Sequence, residues 1–258
     1  MVLSMQDSHV TAEGWPAFPA LSDTAMILAA GFGKRMMPLT AHQPKPLLKI
    51  AGRAMLDIAL DHLKAAGIKK VIINAHHLAD HIAKHLETRK DISFFLSYED
   101  PVLETGGAVK KVRALLGERP FFLLSGDLPW FDGNEPALIR MAKAWDGQKM
   151  DQLLLVAPAR EDRGFSAQGD FNMTEDGRLQ RHGQNPPRPY TFLSVQLVCP
   201  ALYDDVTQTI FSNNLIFDKT EQTTRLFGLV HDGTCFHIGT PPDLEKANAL
   251  IDREQGWA

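Results

Sequence analysis

The 258-residue chain reads as an α/β protein built on a mostly parallel sheet flanked by helices. Two observations predict this. The runs 25–30, 71–74, 92–98, 121–125 and 153–157 are rich in Ile, Val, Leu and Phe and mostly lack polar alternation, the pattern of strands buried on both faces. Between them lie segments of helical periodicity. Strand, helix, strand order with short connections implies right-handed βαβ units.

Taken in order, residues 1–22 show no periodicity, broken by Asp7, Glu13, Gly14, Pro16 and Pro19. They lack the basic start and apolar centre of a signal peptide. A loosely ordered extension over 1–23 is expected, against the alternative of a packed arm offering Trp15 and Phe18. Residues 24–258 are expected to form a single domain. In segment 54–66, Met55, Ile58, Ala59, Leu63 and Ala66 share one stripe, and Gly67 stands where a glycine ends a helix. A further stripe carries Leu138, Met141, Ala142 and Trp145 in helix 134–145, with Asn134 as the predicted N-cap. The segment after Gly106 continues with Val109, Val112 and Leu116 and ends at Gly117.

From about Ala159 the pattern changes. Alternation around Gly169 to Met173 and Thr191 to Val198 predicts antiparallel strands added to the parallel core, with a turn at Asp176-Gly177 and a break at Pro186-Pro187. A short helix is expected near Asn213 to Lys219. A closing helix follows Gly239, opened by the capping-box string Thr240-Pro-Pro-Asp243. There is no internal repeat and no run of C-terminal hexapeptides, so no C-terminal β-helix is expected.

A 44% hydrophobic content suffices for a sizeable core, and the net charge of −4 lacks the basic excess of a nucleic-acid binder. No window approaches eighteen consecutive apolar residues, so no membrane span is expected. The two cysteines, Cys199 and Cys235, form no C-x-x-C motif; a reducing cytoplasm fits.

The stretch Leu28 to Leu47 carries the chemistry: L-A-A-G-F-G-K-R-M-M-P-L-T-A-H-Q-P-K-P-L. Glycines let backbone N–H groups approach an anion, and Lys34, Arg35 and Lys45 supply charge, which suits a polyphosphate. In a parallel sheet, ligands bind beyond the carboxyl ends of the strands. That rule gathers four loops: Gly31 to Arg35, Asn74 to His77, Glu99 to Gly107, and Ser125 to Asp127. The loop is no Walker A motif, and Met36 in the third-glycine region breaks the dinucleotide fingerprint.

The string G-F-G-K-R, then P-L-T and P-K-P-L, resembles the nucleoside-diphosphate-sugar pyrophosphorylase family of sugar-1-phosphate nucleotidyltransferases, over about residues 24 to 245. With L-E-T-G-G-A at Leu103 to Ala108 and L-L-S-G-D at Leu123 to Asp127, the pattern is most like the N-acetylmuramate-1-phosphate uridylyltransferases. Mannose-1-phosphate guanylyltransferases and glucose-1-phosphate uridylyl- or thymidylyltransferases share much of it.

The resemblance implies a Rossmann-like fold with a nucleotide-binding half, 24–157, and a sugar-binding half, 158–258. It implies in-line attack of a sugar-phosphate oxygen on the α-phosphorus of a nucleoside triphosphate, UTP favoured, with pyrophosphate leaving. Arg35 is then the cation on the triphosphate, Lys45 the one between sugar phosphate and α-phosphate, and Lys34 a further candidate. Asp127 would hold magnesium, with manganese as the alternative ion. The base would lie against Leu28, Ala29, Ala30, Gly31 and Gly33 and the loop Glu104, Thr105, Gly106 and Gly107, with Glu99 a further base contact. Asp170 and Asn214 are candidates for the sugar.

The sequence departs from the family pattern in two places. His237, in C-F-H-I-G-T, stands where an aspartate usually serves as the second metal ligand, and imidazole suits manganese or zinc better than magnesium. Ser194 stands where sugar-binding members tend to carry glycine. His77, His81 and His85 recur every four residues beside His76 and Asp80, a spacing read as a solvated helix face rather than a metal site. A nucleotide-sugar-binding regulatory protein without turnover is the competing function, and the assembly is expected to be a monomer or small homo-oligomer.

Overall fold

The computed structural model describes residues 18, 20–166, 168–181 and 188–254. Seven strands form one sheet: β1 (Thr24–Leu28), β2 (Lys70–Ala75), β3 (Ser93–Tyr98), β4 (Phe121–Ser125), β5 (Gln152–Pro158), β6 (Tyr190–Val198) and β7 (Leu226–Val230). Their spatial order is β7-β5-β6-β4-β1-β2-β3. Parallel pairings join β1 to β2 and β4, β2 to β3, and β5 to β7, whereas β6 runs antiparallel between β4 and β5. The predicted mostly parallel, mixed sheet is present.

The helices are α1 (Met55–Ala65), α2 (Ala79–Leu86), α3 (Glu104–Lys111), α4 (Arg113–Leu116), α5 (Ala137–Ala144), α6 (Asn214–Gln222) and α7 (Pro241–Glu254). On one face, Ile27, Val71, Ile73 and Leu124 pack with Leu60 and Leu63 of α1, Ile82 of α2 and Met141 of α5. Met26, Ile72 and Leu123 point to the other face and pack with Val109 of α3, Leu116 of α4 and Ile216 of α6. Successive strand residues are thus buried on opposite faces, which is why these runs show no polar alternation. Phe18 packs against the first of these clusters; the rest of the predicted N-terminal extension, residues 1–17 and 19, lies outside the described residues.

Two expectations need correction. The run 92–98 is an edge strand, with Phe95 and Tyr98 about half exposed, because nothing pairs with β3 on its outer side. Asn134 does not cap α5. That helix starts after Pro136, and Asp132 Oδ1 accepts the Ala137 N–H at 2.9 Å in its place. By contrast, Gly67 takes φ +81° just past α1, as a helix-ending glycine should. At α7, Asp243 Oδ2 accepts from the Thr240 N–H at 2.8 Å and the Thr240 hydroxyl at 2.7 Å, completing the predicted cap.

Gly106 and Gly107 are required by packing. A Cβ on Gly106 would overlap the Phe211 ring, and one on Gly107 would overlap the Thr209 carbonyl oxygen. Both N–H groups donate to the Phe211 carbonyl, at 2.9 and 3.0 Å. The glycines let α3 lie flat on segment 209–213. Gly107→Ala is expected to cost about 1–3 kcal/mol as an overpacking change against backbone, lowering the thermal midpoint by several degrees in calorimetry.

Candidate active site

The carboxyl ends of β1, β2 and β4 open onto a cavity of about 390 Å³ lined by Leu28 to Gly31, Gly33 to Met36, Lys45, Asn74, Glu104, Thr105, Ser125 and Asp127. The four loops expected at one sheet edge meet here.

A buried relay sets the shape of the wall. The Ala29 N–H donates to Asn74 Oδ1 at 2.7 Å, Asn74 Nδ2 donates to Glu99 Oε1 at 2.8 Å, and the Leu103 N–H donates to Glu99 Oε2 at 2.9 Å. Asn74 and Glu99 are both buried. The relay ties the end of β1 to the loop before α3, across the intervening strand. Glu99, expected as a further base contact, has both carboxylate oxygens engaged within the wall and does not line the cavity. Gly106 and Gly107 likewise fall outside the lining. Leu28, Ala29, Ala30, Gly31, Gly33, Lys34, Glu104 and Thr105 line it as expected.

The glycines of the first loop do different work. A Cβ on Gly31 would meet nothing within 4 Å, so the backbone there faces open space. Gly33 has φ +61° and its carbonyl accepts from the Thr40 hydroxyl at 2.9 Å, closing the loop on itself. Across the cavity Glu104 also takes a positive φ, +61°, with an exposed side chain. Such backbone strain persists only where neighbours hold it, and it recurs at ligand sites.

Arg35 sits in the short turn Lys34–Met36, pinned by the fully buried Met36. Lys34 Nζ lies 5.2 Å from the centre of the Phe32 ring. Lys45 begins the turn Lys45–Leu47, held between Pro44 and the buried Pro46. Its Nζ donates to Asp127 Oδ2 at 2.5 Å, while the Ser125 hydroxyl donates to Asp127 Oδ1. Burial pushes the Asp127 pKa up, but the Lys45 ammonium, the Ser125 hydroxyl and the charge of His237 outweigh it and hold the carboxyl below its ordinary value. A carboxylate at the end of an apolar strand is thereby kept ionised.

A second cavity of about 480 Å³ lies alongside, lined by Phe165, Asp170, Phe171, Arg181, Arg188, Phe192, Ser194, Asn214, Phe217 and His237. An intermediate cavity shares Leu28, Thr105 and Ser125 with the first and Phe192, Ser194, Asn214 and Phe217 with the second, so the three form one trench. Asp170 and Asn214, the two sugar candidates, both line the second cavity. Asp170 Oδ2, however, already accepts from the Thr191 hydroxyl and the Phe192 N–H, both at 2.9 Å, which gives it a loop-holding job.

Ser194 has φ +54°, and the pairing of β6 with β5 breaks between Phe192 and Gln196. The glycine expected there would suit that left-handed backbone.

His237 Nδ1 is bonded to the Gly164 carbonyl at 3.1 Å. Among the described residues no three His, Cys, Asp or Glu side chains are grouped to hold a metal. On α2, His85 Nε2 meets Asp57 at 2.9 Å and the preceding His76 bonds the Glu99 carbonyl, while His81 is exposed. Sequence reading passed over Asn74 as a wall-builder, although an amide closing the apolar run V-I-I-N-A was a signal. Arg181 and Arg188, in the second half, carried none.

The glycine-lined cavity at a parallel sheet edge, with Arg35, Lys34 and Lys45 beside an ionised carboxylate, suits a polyphosphate ligand. The model of the nucleotidyl transferase family matches residues 24–168, and the chain belongs to that family. It is 34% identical over 232 residues to N-acetylmuramate alpha-1-phosphate uridylyltransferase of Caulobacter vibrioides, covering 88% of this chain and 96% of the relative. The enzyme of the same name from Neisseria meningitidis serogroup B is 31% identical over 230 residues, 88% of this chain and 97% of the relative. UTP-bound UGPase of Acinetobacter baumannii shares the fold with a TM-score of 0.73 at 17% identity, over 90% of this chain and 94% of that one. No described helix is long and apolar enough to cross a membrane.

The relay can be tested. Glu99→Ala removes the acceptor for two buried donors, and leaving them unpaired is expected to cost about 1–3 kcal/mol, read as a lower urea midpoint and a raised KM for the nucleotide. Glu104→Gln, at an exposed side chain, should unfold within about 0.5 kcal/mol of the parent.

Proposed function

We propose that the chain transfers a uridylyl group from UTP to N-acetylmuramate 1-phosphate, releasing pyrophosphate, as a cytoplasmic step of peptidoglycan recycling. The observation that carries this reading is the meeting of Arg35, Lys45 and Asp127 in one glycine-walled cavity. Near full-length similarity to two uridylyltransferases of that substrate supports the choice of sugar. On this reading residues 24–258 work as one domain, with the triphosphate in the first cavity and the sugar in the second.

In the reaction a sugar-phosphate oxygen forms a bond to the α-phosphorus, and the bridging bond from the α-phosphorus to the β-phosphate oxygen breaks. Both reactants are anions, so the protein's work is positioning and charge stabilisation. Arg35, on a turn anchored by Met36, is placed to meet the triphosphate and the charge that builds on leaving pyrophosphate. Lys45 serves the meeting point of α-phosphate and sugar phosphate. Gly31, with open space where a side chain would be, lets backbone N–H groups approach the nucleotide.

The donor set fits magnesium held through a single protein carboxylate. Asp127 supplies it at the cavity, while phosphate oxygens and water complete the coordination such an ion prefers. Once bound, the ion would neutralise phosphate charge. His237 is a poor donor to so hard an ion and would suit manganese or zinc better.

Pyrophosphate release from UTP, N-acetylmuramate 1-phosphate and magnesium tests the reading. Release is expected from the purified protein, should stop on chelation by EDTA, and should fall in Asp127→Asn and Arg35→Gln by roughly 100-fold or more, the scale of losing one electrostatic stabiliser. Turnover only with GTP and mannose 1-phosphate, or with no pair in a panel of triphosphates and sugar phosphates, would sink it.

A further inference from the structure

The cations of the trench fall into two sets. Lys34, Arg35 and Lys45 line only the nucleotide cavity, whereas Arg181 and Arg188 line only the outer one. A sugar 1-phosphate carries one phosphate, which must sit beside the α-phosphate and therefore with the first set. The second set needs another explanation.

Arg181 has one. Its Nη1 lies 3.1 Å from Asp218 Oδ1 and donates to the Asn214 carbonyl at 3.2 Å, and its backbone N–H is held by Glu221. Arg188 differs. It is half-buried in the cavity wall and has no carboxylate partner among the described residues. The adjoining stretch 182–187 reads H-G-Q-N-P-P and contains no acid. The one carboxylate lining the cavity, Asp170, is occupied by Thr191 and Phe192. The remaining surroundings are largely aromatic, with Phe165, Phe171 and Phe217 buried around the same space. A part-buried guanidinium without a carboxylate partner among the described residues favours an anionic ligand with two acceptor oxygens.

We propose that Arg188 anchors a carboxylate carried by the sugar itself, making the outer cavity an anion subsite in addition to the phosphate site. This rests on the substrate reading above, for a muramate differs from the parent amino sugar by an ether-linked lactyl group ending in such a carboxylate. Arg188 is a specificity-determining residue on this account. It selects the acidic sugar over neutral ones and takes no part in the transfer.

The test compares N-acetylmuramate 1-phosphate with its carboxamide, which keeps the shape and removes the charge, on the wild type, Arg188→Gln and Arg188→Lys. The wild type is expected to lose roughly 10- to 100-fold in kcat/KM on the amide, the worth of a charge-assisted hydrogen bond. Arg188→Gln should lose that factor on the acid and none on the amide, with KM for UTP unchanged. Arg188→Lys, charged but without the fork, should keep part of the preference. Equal losses on acid and amide in Arg188→Gln, or a wild type indifferent to the charge, would overturn the subsite. If neither sugar releases pyrophosphate with the wild type, the substrate reading fails. Calorimetric binding of acid against amide then decides the subsite alone: a preference lost in Arg188→Gln supports it, and no preference refutes it.

Discussion

The arrangement of the first cavity turns on keeping Asp127 charged at the end of an apolar strand. Desolvation works against that charge, and isolated carboxylates in such places neutralise instead. Lys45 prevents this by direct contact, and Ser125 reinforces it from two residues away. The same contact fixes where Lys45 points. One ion pair therefore positions a cation and preserves an anion. The prolines on either side of Lys45 restrict the backbone that carries it, so less chain freedom is lost when the pair forms.

The relay through Asn74 and Glu99 plays the corresponding part for the nucleotide wall. It links the backbone just after β1 with the loop before α3 through the buried side chains of Asn74, which lines the cavity, and Glu99, which lies behind it. Precision at the site is thus held by buried polar groups that are fully satisfied among themselves, the condition under which such networks rigidify a fold.

The first half of the chain was legible because its strands are buried on both faces and its loops end in residues with few alternative uses. The strings around Gly31 to Arg35, Lys45 and Asp127 could be assigned to one sheet edge before any coordinates. What escaped was the direction of a side chain. Glu99 looks identical in sequence whether it faces the base or the core, and Gly106 and Gly107 look identical whether a ligand or Phe211 needs the space. Helix starts also slipped, since Asp132 reaches over five residues to do the capping assigned to Asn134. The outer cavity was hardest, because Phe165, Arg181, Arg188 and Asn214 come from segments far apart in sequence that only the antiparallel strand brings together.

That strand carries a consequence of its own. Where β6 parts from β5, between Phe192 and Gln196, the ladder is already interrupted and Ser194 holds a left-handed backbone at the cavity wall. Residues in such a gap can change without sacrificing sheet hydrogen bonds. The catalytic half, by contrast, stands on unbroken parallel pairing through β4, β1 and β2. The fold therefore sets one wall of the outer cavity at an interruption of the sheet and the walls of the first cavity on continuous pairing.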